Sequence, residues 1–480
     1  MRITILFLVS ILFVFAQNLQ PQAFAPQVQP HHHEMPGMQQ TEASEQKPGV
    51  QTPVPDLLKD AATRAPLGLE QFQQFALATN PTLRQATALI GQSAAQAHQA
   101  GLYPNPSVGY QGEQIRGGEY GGGEQGAFVQ QTFVLGGKLG LRRNVYEEQR
   151  REDEIGVEEQ RYRLLSDVGQ SFYSALGAQE IVNVRKRLLL LAADAAETAH
   201  QLANVGQADT PDVLQAEVEA EQAKIDYITA QREYLQAFHS LAALVGKPEL
   251  VVTPLQGDLE RPPQINEDQI LNQITQDSPS VKRAQQSVVR AQAEVKSTKR
   301  ESVPDLLVHA GIQQNFEPIN DLNKTPVGLQ GFVTAGVNLP IFNRNQGNVA
   351  AAKTELERTQ AEVIRIRLSL RRAAEPLVET YLSSRMEAIR YKEEMIPRAT
   401  RAYQLYLAKY QQMASAYPQV LVSQRTLFQL NVAYIRALQN TWMTAIALQN
   451  YALDGGLDAP QASGSYGTTL NLPDLSGSAE

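Results

Sequence analysis

Two hydrophobic periodicities alternate along this chain, and they do so in the same order twice. From Leu69 to Ala100, small and apolar residues recur at helical spacing through Phe72, Ala76, Leu83, Ala86, Leu89, Ile90 and Ala97, with an interruption at Asn80-Pro81 and a stop at Tyr103-Pro104-Asn105-Pro106. The plan returns between Ile270 and Arg300, interrupted at Ser278-Pro279 and stopped by Pro304. Long helical patterns end at Leu244-Val245-Gly246 and again at Leu453-Asp454-Gly455. Equivalent landmarks lie about 200 residues apart, far beyond the period of a solenoid, so the chain carries a duplicated unit. We place the copies at residues 66–257 and 258–458.

After each closing proline the period changes to two. Leu306, Val308, Ala310 and Ile312 alternate with Leu307, His309, Gly311, Gln313 and Asn315, and Val333, Ala335, Val337 and Leu339 alternate with Phe332, Thr334, Gly336 and Asn338. In the first copy, Val108 and Tyr110 alternate with Ser107, Gly109 and Gln111, while Ala127 to Val134 is mixed. These four strands are expected to be about nine to eleven residues long, the length a tilted strand needs to cross hydrocarbon. A soluble hairpin with one wet face would produce the same alternation.

Beyond the strands, helical pattern runs from Lys138 to about Val205 and from Pro211 to Val245, then from Asn348 through Gln411 and from Pro418 to Leu453. A helix of that first length would extend about 100 Å. Ala216, Ala220, Ala223, Ala230, Ala237 and Ala242 recur where a neighbouring helix would pack, which suits an antiparallel coiled coil or helical tube. Pro376 and Pro397 are expected to kink or break the second long helix. At the far end from the strands, one turn contains Gly206, Gln207, Ala208, Asp209 and Asp212, and the other contains Ser415, Tyr417 and Pro418. Gly206 suits a helix C-cap and Asp209 or Thr210 an N-cap.

Composition narrows the field. The 480 residues include no cysteine, which excludes disulfides, thiolate metal sites and an acylated N-terminal cysteine. A formal net charge of -8 argues against a nucleic-acid partner. The apolar run Ile3 to Phe15 reads as a signal peptide within residues 1–25, with cleavage after Ala16 or Ala25. Residues 26–65 read as a flexible Gln/Pro-rich leader and 459–480 as a flexible tail. In the leader, His31, His32, His33, Met35 and Met38 group ligands that suit soft or borderline cations, although a solvated linker has the same composition. No phosphate-binding loop, nucleophile–base pair or metalloprotease motif is present, and no cofactor or enzymatic activity is expected.

Four strands cannot close a barrel, and lipid does not tolerate an open strand edge, so transmembrane strands would require several chains. Three chains would supply twelve strands, continued by a hollow cylinder of long helices. The expected fold is therefore mixed, with a long-helix α-barrel joined to a shared membrane β-barrel. Asn80-Pro81, Leu135-Gly136-Gly137-Lys138, Val205-Gly206-Gln207-Ala208 through Asp212-Val213-Leu214, Leu339-Pro340-Ile341-Phe342-Asn343-Arg344-Asn345-Gln346-Gly347, and Tyr417-Pro418-Gln419-Val420-Leu421 with Gln424-Arg425-Thr426-Leu427 together make the resemblance specific. Over about Leu69 to Asp458 the chain resembles the TolC-type outer-membrane efflux proteins, especially the cobalt-zinc-cadmium and copper-silver branch.

That resemblance implies a homotrimer in the bacterial outer membrane with a long periplasmic extension. Its tips would meet a periplasmic adaptor, and an inner-membrane pump of the resistance-nodulation-division type would supply the energy. The expected adaptor contacts are Gly206, Gln207, Ala208, Ser415, Tyr417 and Pro418. Asp209 and Asp212, repeated around a narrow tip, would form a cation-attracting ring, and helix capping accounts for the same positions. Asp212 is expected to pair with Arg401 or Arg425, and His309 to face the lumen. Channels for drugs, small organic molecules or type I secretion, and a purely structural periplasmic coiled coil, remain alternatives.

Overall fold

The computed structural model describes residues 55–115, 123–206, 208–318, 325–412 and 417–462. The signal-peptide residues and the His31 to Met38 tract lie outside them, as do Gln207 and Ser415. In chain order the elements are β1 (Leu67–Gly68), α1 (Leu69–Thr79), α2 (Pro81–Ala100), β2 (Ser107–Glu113), β3 (Glu124–Phe133), α3 (Lys138–Asn204), α4 (Thr210–Leu244) and β4 (Leu255–Gln256). The second half supplies α5 (Glu267–Asp277), α6 (Pro279–Arg300), β5 (Leu306–Pro318), β6 (Pro326–Val337), α7 (Gln346–Arg390), a π-helical turn (Tyr391–Met395), α8 (Ile396–Gln411) and α9 (Tyr417–Gln449).

The duplicated landmarks have matching structural work. Asn80 starts α2, its side-chain oxygen accepting from the Thr82 N–H at 2.9 Å, and Ser278 starts α6 by accepting from the Ser280 N–H at 3.3 Å. In both helices a proline fills the first turn, where no amide partner is missed. Gly137 and Asn345 precede the two long helices with φ of 71° and 60°, in the left-handed region that lets an extended chain turn sharply into a helix.

α3 is continuous over 67 residues and collects most of the core. Phe72, Phe172 and Phe238 meet in the buried centre, and Trp442 stacks on Tyr173 at 4.0 Å while donating to the Leu259 carbonyl at 2.9 Å. Ala216, Ala220, Ala223, Ala230 and Ala242 are buried along α4, as their spacing predicts. The expected interruptions of the other long helix fall differently. α7 runs through Pro376, which is exposed, so the carbonyl it leaves unpaired can reach solvent while Ala374 and Val378 stay buried. The break comes at Pro397. It cannot donate to the Glu393 carbonyl, and the ladder shifts so that the Ile396 N–H reaches the Tyr391 carbonyl.

α3 is tied to α6 and to the residues that follow it by ion pairs in a near-constant antiparallel register. Lys138 meets Asp305 at 2.8 Å, Arg142 meets Glu301 at 2.7 Å, Arg290 meets Glu152 at 2.9 Å and Arg283 meets Glu159 at 3.3 Å. The leader ends earlier than its composition implies. Leu58 packs on the core, Ala61 is buried, and Asp56 lies 3.4 Å from Lys186, so this short turn docks on the helices. Strands β1 and β4 pair in parallel, joining the start of the first repeat to the connection that follows α4.

Candidate functional site

The other strands form one antiparallel sheet in the order β2-β3-β5-β6, so the two hairpins of the duplication lie side by side. Its register sorts the side chains cleanly. Val108, Val129, Ala310 and Val333 form one row on a face that is apolar and open, with Val108 79% and Val333 76% exposed. The opposite face carries Ser107, Gln130, His309 and Thr334 in one row, and Glu113, Glu124 and Asn315 in a row farther from the helices. Glu124 accepts from Asn315 at 2.7 Å and also from Gln313. His309 is on this polar face, as the alternation predicts, but edge-on between Phe128 and Phe332. Among the described residues no helix is long and apolar enough to cross a membrane.

At the far end of the helices a separate core closes the tips. Ala199, Val213, Ala216, Tyr417 and Leu421 are buried together, with Tyr410 packed against them and its ring 5.4 Å from that of Tyr417. Burial pushes the Tyr417 phenol up to about 12, helped by Tyr410, Glu219, Tyr403 and Asp212. Among the described residues its hydroxyl has no hydrogen-bond partner. Burial also raises Tyr410, with the Asp212 carboxylate adding to the effect. Tyr417 is therefore turned into the tip, not outward as an adaptor contact requires. Pro418 beside it is exposed and borders an open groove of about 410 Å³ between α8 and α9, lined also by Ala399, Ala402, Tyr406 and Val422.

The tip charges are arranged differently from the expected Asp212 pairing. Arg425 grips Glu219, with its Nε 2.9 and 3.0 Å from the two carboxylate oxygens. Glu219 and Arg425 lie at nearly equal depth from the starts of α4 and α9, whereas Asp212 is two helical turns too shallow. Among the described residues no carboxylate pairs with Arg401. Asp209 does occupy the N-cap of α4, yet its side chain makes no capping bond, and its backbone carbonyl accepts from the Asp212 N–H at 3.0 Å. Gly206 ends α3 exposed with φ of 75°, and Ala208 is half-buried beside it. Glu219, buried and carrying the inter-helix link, was missed because nothing in its spacing distinguishes it from Glu217 or Glu221.

A four-stranded sheet with one open, largely apolar face, continued by long helices of which α3 reaches about 100 Å, is the architecture of an outer-membrane channel with a helical periplasmic extension, and similarity to known proteins places the chain in that class. The chain matches the outer membrane efflux protein family over residues 73–247 and 270–452, and it belongs to that family. It is a transport protein, not an enzyme. One matched segment falls in each half of the chain. It is 28% identical over 395 residues to the cobalt-zinc-cadmium resistance protein CzcC of Cupriavidus metallidurans, covering 82% of this chain and 91% of that protein. It is 24% identical over 298 residues to the nickel-cobalt-cadmium resistance protein NccC of Alcaligenes xylosoxydans xylosoxydans, covering 62% of this chain and 66% of that one. Its fold matches the crystal structure of CusC with a TM-score of 0.66 at 18% identity, covering 86% of this chain and 99% of that chain. The open-state MtrE channel of Neisseria gonorrhoeae matches with a TM-score of 0.62 at 18% identity, covering 82% and 90%.

Proposed function

We propose that three copies of the chain close a twelve-stranded barrel and serve as the passive exit duct of a tripartite efflux assembly for heavy-metal cations. The observation that carries this is the sheet itself, which ends in strands β2 and β6 that pair on one side only among the described residues, while one of its faces carries the open apolar row Val108, Val129, Ala310 and Val333. In hydrocarbon those edges must be satisfied, and joining β6 of one copy to β2 of the next satisfies both at once. Cations as cargo are supported by the names of the two resistance proteins it resembles. A periplasmic adaptor would meet the tips at Gly206, Gln207, Ala208, Ser415 and Pro418, and an inner-membrane pump of the resistance-nodulation-division type would drive export. Asp209 and Asp212 would place up to six carboxylates around the aperture and favour cations over anions.

The chain has no cysteine, which makes a cross-linking test clean. Cysteines introduced on β2 and β6 should yield a covalent trimer in outer-membrane extracts, and monomers alone would refute the shared barrel. Loss of cobalt, zinc and cadmium tolerance on deletion of the gene, restored by the wild-type chain, tests the cargo. Asp209→Asn with Asp212→Asn should lower the cation-over-anion permeability ratio in planar bilayers; an unchanged ratio would remove the charge ring.

A further inference from the structure

One row on the polar face of the sheet alternates glycine and phenylalanine across all four strands: Gly109, Phe128, Gly311, Phe332. The two glycines occupy equivalent places in the duplicated halves, and so do the two phenylalanines. Each ring leans over the glycine of the preceding strand in the sheet. A Cβ added at Gly109 would meet Phe128 Cζ at 2.7 Å and Cε1 at 2.8 Å; one added at Gly311 would meet the Ala127 carbonyl oxygen at 2.5 Å as well as Phe332 Cζ at 2.6 Å and Cε1 at 2.8 Å, so the ring effect stands alone at Gly109. His309, in the next row toward the helices, lies edge-on to both rings, with centroid distances of 4.7 and 5.2 Å.

We infer that Gly109 and Gly311 set the free bore of the barrel by giving Phe128 and Phe332 a wall to lie against. This rests on the shared barrel proposed above, which turns the polar face inward. A phenylalanine facing a wide polar lumen would otherwise project into it. In this row the far edge of each ring takes the space of a missing side chain, so apolar surface is covered and the lumen stays open. A ring pushed off its glycine has nowhere else to go on the wall. Phe128 cannot turn onto Gly311, because Phe332 already covers it, and His309 blocks the way toward the helices. In a closed trimer the row would run unbroken around the barrel, and a single substitution would act in three places.

Thiol labelling from outside the cell reads the bore independently of the distant tips. Gln130→Cys reports just inside the row and Gln330→Cys just outside it, both on the polar face, while Val129→Cys reports on the apolar face. A small reagent should modify the first two and spare the third; equal reaction of Val129→Cys and Gln130→Cys would refute the barrel reading itself. With that pattern in place, the readout is the rate for a bulky polyethylene-glycol maleimide at Gln130→Cys divided by its rate at Gln330→Cys. Gly109→Ala should lower this ratio roughly threefold by narrowing the passage between the two positions, and Gly109→Ala with Phe128→Ala should restore it. Phe128→Ala alone should raise it less than about twofold, since the ring already lies against the wall. An unchanged ratio in an assembled Gly109→Ala trimer would overturn the inference. A several-fold rise on Phe128→Ala alone would do the same, and that variant decides the matter if Gly109→Ala does not assemble.

Discussion

Helix α3 descends without a break and buries residues along nearly its whole length, whereas its counterpart in the second repeat is divided by a π-helical turn and ends in α8, whose side chains are at most partly buried among the described residues, Tyr410 against the tip core being one of these. Both descend from one sequence plan. The difference shows that duplication preserved the corners near the strands but let the two tips diverge in how firmly they are held. The first hairpin is a strut packed on the core, and the second is hinged at Pro397 and tied back by the Arg425–Glu219 pair and the buried Tyr417.

The widest gap between the hairpins should be in core truncation. Phe172→Ala empties the centre of the α3 core and should cost about 3–5 kcal/mol, measured as a lowered thermal midpoint in detergent. Leu405→Ala on α8, about half exposed, should change stability by no more than about 0.5 kcal/mol. Equal costs would show that neighbouring copies hold α8 as firmly as the core holds α3. Next in size, Arg425→Ala leaves the buried Glu219 carboxylate without its partner. It should cost about 1–2 kcal/mol, less than for a fully buried pair because Arg425 is half exposed, and should raise single-channel open probability. A loss of stability with gating unchanged would confine the pair to a packing role.

Much of this contrast could be read from the sequence, and the unread part has a physical reason. Pro81, Pro279, Gly137 and Gly206 mark helix ends through backbone chemistry that acts locally, so their positions agree with the structure. Pro376 and Pro397 look alike in sequence, but which one interrupts its helix depends on burial of the neighbouring turns. The partner of Arg425 depends on the relative depth of two helices far apart in the chain. Phe128 blurred the alternation of β3 because an aromatic ring on a polar face contradicts the usual pattern; only the cross-strand register reveals the glycine beneath it.

Smaller effects should refine the hinge. Backbone amides from Lys392 to Ile396 should exchange with deuterium about tenfold faster than those from Val182 to Leu188, and Pro397→Ala should narrow that difference by restoring the missing donor. No change in exchange on that substitution would place the cause of the π turn elsewhere. The smallest effect concerns Glu294, whose carboxyl is raised above its ordinary 4.5 mainly by burial, with Glu355 adding to the shift against the opposing pull of Arg290. Because the folded-state value lies above the unfolded one, ionisation favours the unfolded chain first as pH climbs past 4.5. Glu294→Gln should therefore match wild type near pH 4 and become the more stable protein toward pH 7. The reverse trend in melting experiments would contradict the direction of that shift.

The ion pairs between α3 and the segment running from α6 to Asp305 change polarity partway along. Toward the strands α3 supplies the cations through Lys138 and Arg142, and farther down it supplies the anions through Glu152 and Glu159. A sliding error of about the distance between the two halves would bring guanidinium against ammonium and guanidinium in one direction, and carboxylate against carboxylate in the other. The helices therefore work as a keyed coupling that accepts one alignment. Since β3 and β5 adjoin these same ends and pair with each other, that alignment decides in advance which of their backbone amides meet.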